Sequence, residues 1–343
     1  MIGRSIASIF LYCCISLSAS SQSEDKEWKE ADAFLQSQTY PISDASDLRL
    51  LGREIKYRFA DTSLRLKASY IWVINNIRYD CEGLKNKNSR WALDSVLKYR
   101  KAICAGYVNV FRNLCEAAGV LCIDINGYGR SGMDDLLIPI DSFLTNHTWN
   151  AVKLKGSWKL IDITWASGYT SEECTRFTQY RNDWYFCADP ERFAWDHFPQ
   201  DSSWQLMEHP VEWSQFYRYP LLYQGILENK LDDFFPRNVI IQKKPGDTIL
   251  FNFKSKAYYN KIIFHSNKEK KLYRVDVPKR TADGYSIVYT IEKAGKYDLQ
   301  IDLLNMERSD GWSSGNLISY TDIVYWIHAE PAKPSVKPQK SVF

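Results

Sequence analysis

The stretch Asn146–Gly168, "NHTWNAVKLKGSWKLIDITWASG", decides how the first half of this chain is read. It is rich in Trp, Val, Leu and Ile, which suit a pleated, half-buried surface, and Lys155-Gly156 stands where a tight turn belongs. The pattern predicts a β-hairpin. Two residues sit oddly in it. His147 stands at the mouth, and Asp162 falls in the second strand, where a buried carboxylate is costly unless something pairs with it. If Leu154 and Ser157 flank a two-residue turn, Trp149 faces Asp162 across the ladder. His147 then points to the same face as Trp149, and Asp162 lies diagonal to it, within reach of the imidazole. A three-residue turn would send Asp162 to the opposite face.

Upstream, "KAICAGYVNVFRNLCEAAG" places Cys104, Val108, Phe111, Leu114, Cys115 and Ala118 at three- and four-residue steps. That spacing makes one apolar helical face, and Gly119 supplies the stop. Cys104 opens this helix, where the positive end of the dipole favours the thiolate. A thiolate nucleophile wants an imidazole to shuttle its proton, and the imidazole wants a carboxylate to orient it. Singly, the three residues read as packing or as a disulfide half, a satisfied surface histidine and a solvent-facing aspartate. As an ordered triple they read as nucleophile, base and orienting group. His209, His265 and His328 have no matching carboxylate in a comparable hairpin. His197, in "DPERFAWDHFPQDSSWQL", is the rival, flanked by Asp196 and aromatic residues.

The chain has 343 residues, a length that favours about two domains. It is 45% hydrophobic and 25% charged, with 12 Trp and 22 Tyr, which excludes a disordered protein. The formal net charge of +3 implies neither nucleic acid nor an anionic surface as partner. The locally basic "NKEKKLYRVDVPKR" mixes signs and alternates with apolar residues, so it reads as a solvated sheet face. At the N-terminus, Arg4, the apolar run Ile6–Leu17 and the small residues before "EDKEWKE" form the three-part layout of a secretory signal, with cleavage expected after Ser21. The run is too short to span a bilayer, and no other segment is apolar enough. The expectation is a secreted or periplasmic protein with no integral membrane segment after cleavage.

Residues 22–45 read as a polar lead, 46–225 as a core of helices and strands, and 331–343, rich in Pro and Lys, as a disordered tail. "FFPRN" at 234–238 marks a boundary. From 235 to 330 the pattern changes to short alternating segments such as "KIIFHSN", "GYSIVYTIE" and "GKYDLQIDLL", the signature of an all-β, immunoglobulin-like sandwich. After "VLCIDINGYG" a loop of about twenty residues is long enough to form an active-site rim. Removing Cys13 and Cys14 with the signal leaves Cys81, Cys104, Cys115, Cys122, Cys174 and Cys187. Spacing does not fix their connectivity, although Cys174 and Cys187 are placed to close a loop. Cys104 and Cys115 are about three helical turns apart and cannot bridge within a straight helix, whereas a Cys104–Cys81 pair stays open. No cysteine spacing matches a zinc site, so no metal and no cofactor are expected.

Together, "AICAGYVNVFRNLCEAAGV" and "NHTWNAVKLKGSWKLIDITWASG" resemble the two signature blocks of the transglutaminase-like superfamily of papain-type thiol enzymes. "YFCADPERFAWDHFPQDSSWQL" resembles the segment that follows this core in the kyphoscoliosis-peptidase branch. The resemblance covers roughly 64–207. It implies an α+β fold, a papain/transglutaminase-like core with its Cys-bearing helix packed on an antiparallel sheet. It also implies Cys104 as nucleophile, His147 as base and Asp162 as orienting carboxylate, with Tyr107, Trp149, Trp165 and His197 as substrate-cleft candidates. Ala102-Ile103 and Thr148 depart from the family's usual Gly-Val and Ala. Asn146-His147-Thr148 is formally a glycosylation sequon, read as coincidence because a glycan there would crowd the cleft. The implied reaction is acyl transfer through a thioester on a protein or peptide amide, with water as the favoured acceptor. A cross-linking transglutaminase is the enzymatic alternative. A catalytically silent binding or adhesion module, with the sandwich contacting a protein partner, is the non-enzymatic one.

Overall fold

The computed structural model describes residues 26–38, 41–130, 145–171, 173–222, 231–259, 261–266, 272–276, 279–304 and 323–329. The expected signal at 1–21, most of the loop after Gly129 and the tail at 331–343 lie outside these residues. The chain divides into two compact units, one from 1–129, 144–193 and 197–210, the other from 130–143, 194–196 and 211–343.

The first unit begins with helices: α1 (residues 26–36), α2 (Ala45–Arg58), α3 (Thr62–Asn76), α4 (Cys81–Lys85), α5 (Leu93–Tyr99) and α6 (Cys104–Ala117). Their starts follow local chemistry. Asp44 caps α2 by accepting from the N–H groups of Ser46 and Asp47 at 2.7 and 3.0 Å, and Asp61 caps α3 by accepting from Ser63 at 2.6 Å. Within the segment read as a polar lead, α1 docks onto this unit. Trp28 lies 4.9 Å from Phe186 and 5.8 Å from Tyr70, and the Lys67 ammonium donates to Glu27 at 2.6 Å. Together with buried Ala31 and the Phe34 ring, 5.4 Å from Phe59, these contacts dock a segment whose composition is otherwise polar.

α6 is the central helix. It buries Tyr107, Val108, Val110, Phe111, Leu114 and Cys115, and each large apolar side chain contributes about 1.5–3 kcal/mol. Gly106 lets its first turn approach closely, because a Cβ there would lie 2.7 Å from the Arg90 carbonyl and 2.8 Å from the Ala102 Cβ. Gly119 ends the segment with φ +76°, a left-handed conformation that favours glycine.

The strands of this unit are β1 (Arg78–Tyr79), β2 (Lys101–Ala102), β3 (Cys122–Gly129), β4 (His147–Leu154), β5 (Ser157–Ile161), β6 (Gly168–Thr170), β7 (Phe177–Gln179), β8 (Phe186–Ala188) and β9 (His197–Pro199). The main sheet has the order β8-β5-β4-β3-β9, with every neighbouring pair antiparallel, and α6 packs on β3 and β4. β4 and β5 pair with Leu154 opposite Ser157, so the turn holds two residues, and Lys155 and Gly156 both have positive φ, at 48° and 86°. That is the I′ geometry whose twist matches the flanking strands.

Cys174 bonds Cys81 rather than Cys187, which corrects the expected loop-closing pair and removes the Cys104–Cys81 alternative. The reason is positional. β7 lies against β1, which leads directly into Cys81, while Cys187 is held in β8 against β5.

The second unit holds a short helix, α8 (Trp213–Phe216), following α7 (Pro190–Phe193) of the first. Its strands are β10 (Leu221–Leu222), β11 (Leu231–Phe235), β12 (Ile240–Lys243), β13 (Thr248–Ser255), β14 (Lys261–Ser266), β15 (Leu272–Asp276), β16 (Gly284–Thr290), β17 (Gly295–Leu304) and β18 (Ile323–Ala329). They form the sheets β11-β13-β16 and β10-β18-β17-β14-β15, with β12 pairing parallel to β18. Phe251 lies 5.5 Å from Phe264 and 5.2 Å from Tyr325, so the two sheets stack through aromatic inner faces as a sandwich does. Among the described residues no helix is long and apolar enough to cross a membrane.

Candidate active site

Cys104 is the first residue of α6. The preceding Ile103 offers no capping side chain, so the first N–H groups of the helix stay uncapped by side chains. His147 opens β4, and Asp162 follows the last residue of β5. The structure brings the three together. The His147 Nε2 lies 2.7 Å from the Asp162 Oδ2. The same imidazole is close enough to Cys104 for each group to shift the other's hold on its proton. The two-residue turn is present, but the ladder ends at Asn150 opposite Ile161, so Asp162 stands one residue past β5 rather than within it, and its carboxylate meets the His147 ring from there.

Asp162 is fully buried, and both of its oxygens are engaged. Oδ1 accepts from the backbone N–H groups of Thr164 and Trp165 at 2.9 and 3.0 Å, as the chain turns after β5. Oδ2 accepts from His147 and also, at 2.9 Å, from the His197 Nε2. Burial alone would raise this carboxyl, but the charge and hydrogen bond of His147, then those of His197, hold it well below the usual carboxylate range. Burial alone would likewise lower His147, yet the Asp162 charge and hydrogen bond, with Cys104 behind them, raise it to about 10. For Cys104, burial pushes the thiol up. The hydrogen bond and charge of His147, aided by the Ala105 N–H, outweigh it and leave the thiol below its ordinary value. All three directions favour a thiolate beside an imidazolium over the neutral pair.

Sequence reasoning missed Tyr79. The β1–β2 ladder places it opposite Ala102, two residues before Cys104. Burial, then the nearby Cys104, Asp162 and Asp80, push its phenol up to about 12, so it stays a neutral hydroxyl beside the site. Only the parallel pairing of two very short strands, invisible in sequence, brings it there.

The cleft candidates separate. Trp165 is partly exposed and stacks on His147 at 5.1 Å and 27°. Tyr107 is fully buried, with its hydroxyl donating to the Ile77 carbonyl at 2.9 Å, and Trp149 is fully buried against Phe193 and His197. These two are core residues rather than cleft walls, because both point inward from the central helix and the sheet. His197 is buried behind Asp162 instead of lining an opening. His265, for which the sequence offered no carboxylate, pairs with Asp302 at 2.6 Å across β14 and β17 in the sandwich. The two are diagonal in an antiparallel ladder between strands far apart in sequence, so no hairpin pattern announces them.

His147, Asp162 and His197 present ligand-type atoms within 4.8 Å of one another. Their N···O separations of 2.7 and 2.9 Å are hydrogen-bond lengths. Tetrahedral ligands about 2.1 Å from a zinc ion stand about 3.4 Å apart. The cluster as it stands is a hydrogen-bonded relay, not a ligand set.

Residues 51–163 match the family profile described as the Transglutaminase-like superfamily. The chain is 36% identical over 153 residues to the kyphoscoliosis peptidase of Mus musculus, a match covering 44% of this chain and 23% of that protein. The Homo sapiens kyphoscoliosis peptidase is 35% identical over the same shares. The match therefore spans about a quarter of the length of these relatives. A solved structure described as a TGase aligns with a TM-score of 0.28 at 17% identity, over 41% of this chain and 38% of that one. The chain thus carries a domain of the transglutaminase-like superfamily, one similar to that of the kyphoscoliosis-peptidase branch.

Proposed function

We propose that this chain is a thiol enzyme that transfers the acyl group of a protein or peptide amide through a thioester, with water as its usual acceptor. The carrying observation is the His147–Asp162 pair at 2.7 Å, with Cys104 at the start of α6 near enough for that imidazole to lower its thiol. Cys104 attacks the amide carbonyl as the thiolate. His147 gives its proton to the departing amine, leaving an acyl-thioester. His147 then takes a proton from water as the water attacks, and the acid is released with the thiolate restored. The Cys104 backbone N–H, at a helix start with no side-chain cap from Ile103, is the donor assigned to the developing oxyanion. Asp162 keeps the imidazole oriented and charged.

Hydrolysis, rather than transfer to an amine, is supported by the similarity to the kyphoscoliosis peptidases, named for peptide cleavage. The reading extends to a secreted protein, a proposal supported by the Cys81–Cys174 disulfide, since such bonds persist in oxidising compartments. The test is iodoacetamide alkylation of the native protein across pH, followed by peptide mapping, in wild type and His147→Ala. Rapid labelling of Cys104 well below the free-thiol range, slowed in the variant, supports the enzyme. Incubation with a peptide library, with and without a primary amine, then separates hydrolysis from transamidation by product mass. A Cys104 that labels no faster than an ordinary thiol rejects the reading and leaves a binding module in its place.

A further inference from the structure

His197 has no part in the chemistry just described, yet its Nε2 contacts the same Asp162 oxygen as His147, at 2.9 against 2.7 Å. Two neighbouring strands make this convergence possible. β3 runs between β4 and β9, with Gly127 opposite His147 and Gly129 opposite His197. Residues directly opposite share a face, so β3 presents no side chain where the two imidazoles meet Asp162. A Cβ on Gly129 would lie 3.0 Å from the His147 ring, and one on Gly127 would lie 2.4 Å from Trp149. The His197 ring is fully enclosed. It stacks on Phe193 at 4.0 Å and 21°, meets Trp149 edge-on at 5.0 Å, and lies 4.4 Å from Trp165. Substrate cannot touch it.

We propose that His197 is a positioning residue: its Nε2–H fixes the Asp162 carboxylate and, by sharing the oxygen that holds His147, limits how tightly His147 keeps its proton. The proposal rests on the thiol-enzyme reading above. An ionised carboxylate accepts and does not donate, so His197 must carry its proton on Nε2 to make this contact. With His197 occupying part of Oδ2, less of the carboxylate's charge is spent on His147, and the imidazolium remains acidic enough to protonate a leaving amine. The titratable groups facing the cluster are Cys104 from α6, His147 from β4, Tyr79 from β1 with Asp80 after it, and Tyr185 at 5.7 Å from the His197 ring.

The experiment is the pH dependence of Cys104 alkylation in wild type, His197→Phe and His197→Gln. Phenylalanine keeps the aromatic stack and deletes the donor, while glutamine returns an N–H near the Nε2 position. Wild type should show a lower inflection where the thiolate forms and an upper one where His147 loses its proton. In His197→Phe the upper inflection should rise by about half a pH unit or more. His197→Gln should bring it back. A folded His197→Phe protein with wild-type inflections overturns the proposal, as does an upper inflection that falls. Wild type without the lower inflection instead rejects the thiol-enzyme reading itself, and the proposal with it. Should His197→Phe fail to fold, imidazole 15N NMR of wild type decides. A protonated Nε2 on His197 throughout the thiolate range supports the proposal, and an unprotonated one overturns it.

Discussion

Replacing Asp162 by asparagine removes one charge and little volume, so it isolates what that charge does. The carboxylate and the His147 imidazolium have charge centres about 4 Å apart, which at an effective dielectric near 20 is worth about 4 kcal/mol, or about 3 units of proton affinity. That is the largest share of the rise of His147 to about 10, with the Asp162 hydrogen bond and Cys104 supplying the rest against the burial that opposes it. In Asp162→Asn burial pushes His147 down, opposed only by the smaller contribution of Cys104. The imidazole should then be neutral at pH 7. Cys104, losing its charged partner, should stay a thiol, because burial pushes it up. The assay is the rate of Cys104 alkylation against pH, with 15N NMR of His147 beside it. The thiolate inflection should move above the range of an ordinary thiol, and any amide turnover should fall on the order of 10³- to 10⁴-fold. A folded Asp162→Asn protein that keeps the wild-type alkylation profile would refute the account of the site, because Asp162 is the carboxylate hydrogen-bonded to His147.

Three further outcomes are expected. His147 is raised in the folded state, so the stability it contributes is complete below about pH 6.5 and is lost as pH rises through about 10. Thermal unfolding of wild type should therefore fall more steeply over that window than unfolding of His147→Gln, and parallel curves would contradict the pairing. The Cys81–Cys174 bond joins positions 93 residues apart, which in the chain-entropy treatment is worth about 4–5 kcal/mol. Denaturant midpoints with and without reductant should differ, and Cys81→Ser should reproduce the reduced value. Gly127→Ala should destabilise by about 1–3 kcal/mol or more, since its Cβ would meet the Phe198 carbonyl and the Trp149 ring at 2.4 Å. A Gly127→Ala protein of wild-type stability would mean that β3 and β9 are less tightly paired than described.

Periodicity carried the parts of this molecule in which neighbours in space are also neighbours in sequence. The apolar face of α6, its cysteine start and its glycine end were legible because a helix repeats every few residues. The His147–Asp162 contact was legible because a two-residue turn fixes which side chains share a face, and fifteen positions of chain separate them. The alternating pattern after residue 235 announced a sandwich for the same reason. What the sequence could not determine is contact between segments that meet only after folding. Cys81 with Cys174, Tyr79 beside Cys104, His265 with Asp302 and Trp28 under Phe186 each join distant stretches whose local patterns are silent about one another. His197 shows the difference most plainly. As a string of letters it is a histidine among aromatics, facing a cleft as readily as a core. Only the antiparallel pairing of β9 with β3, over two glycines that leave the space empty, turns it onto the carboxylate that His147 already holds.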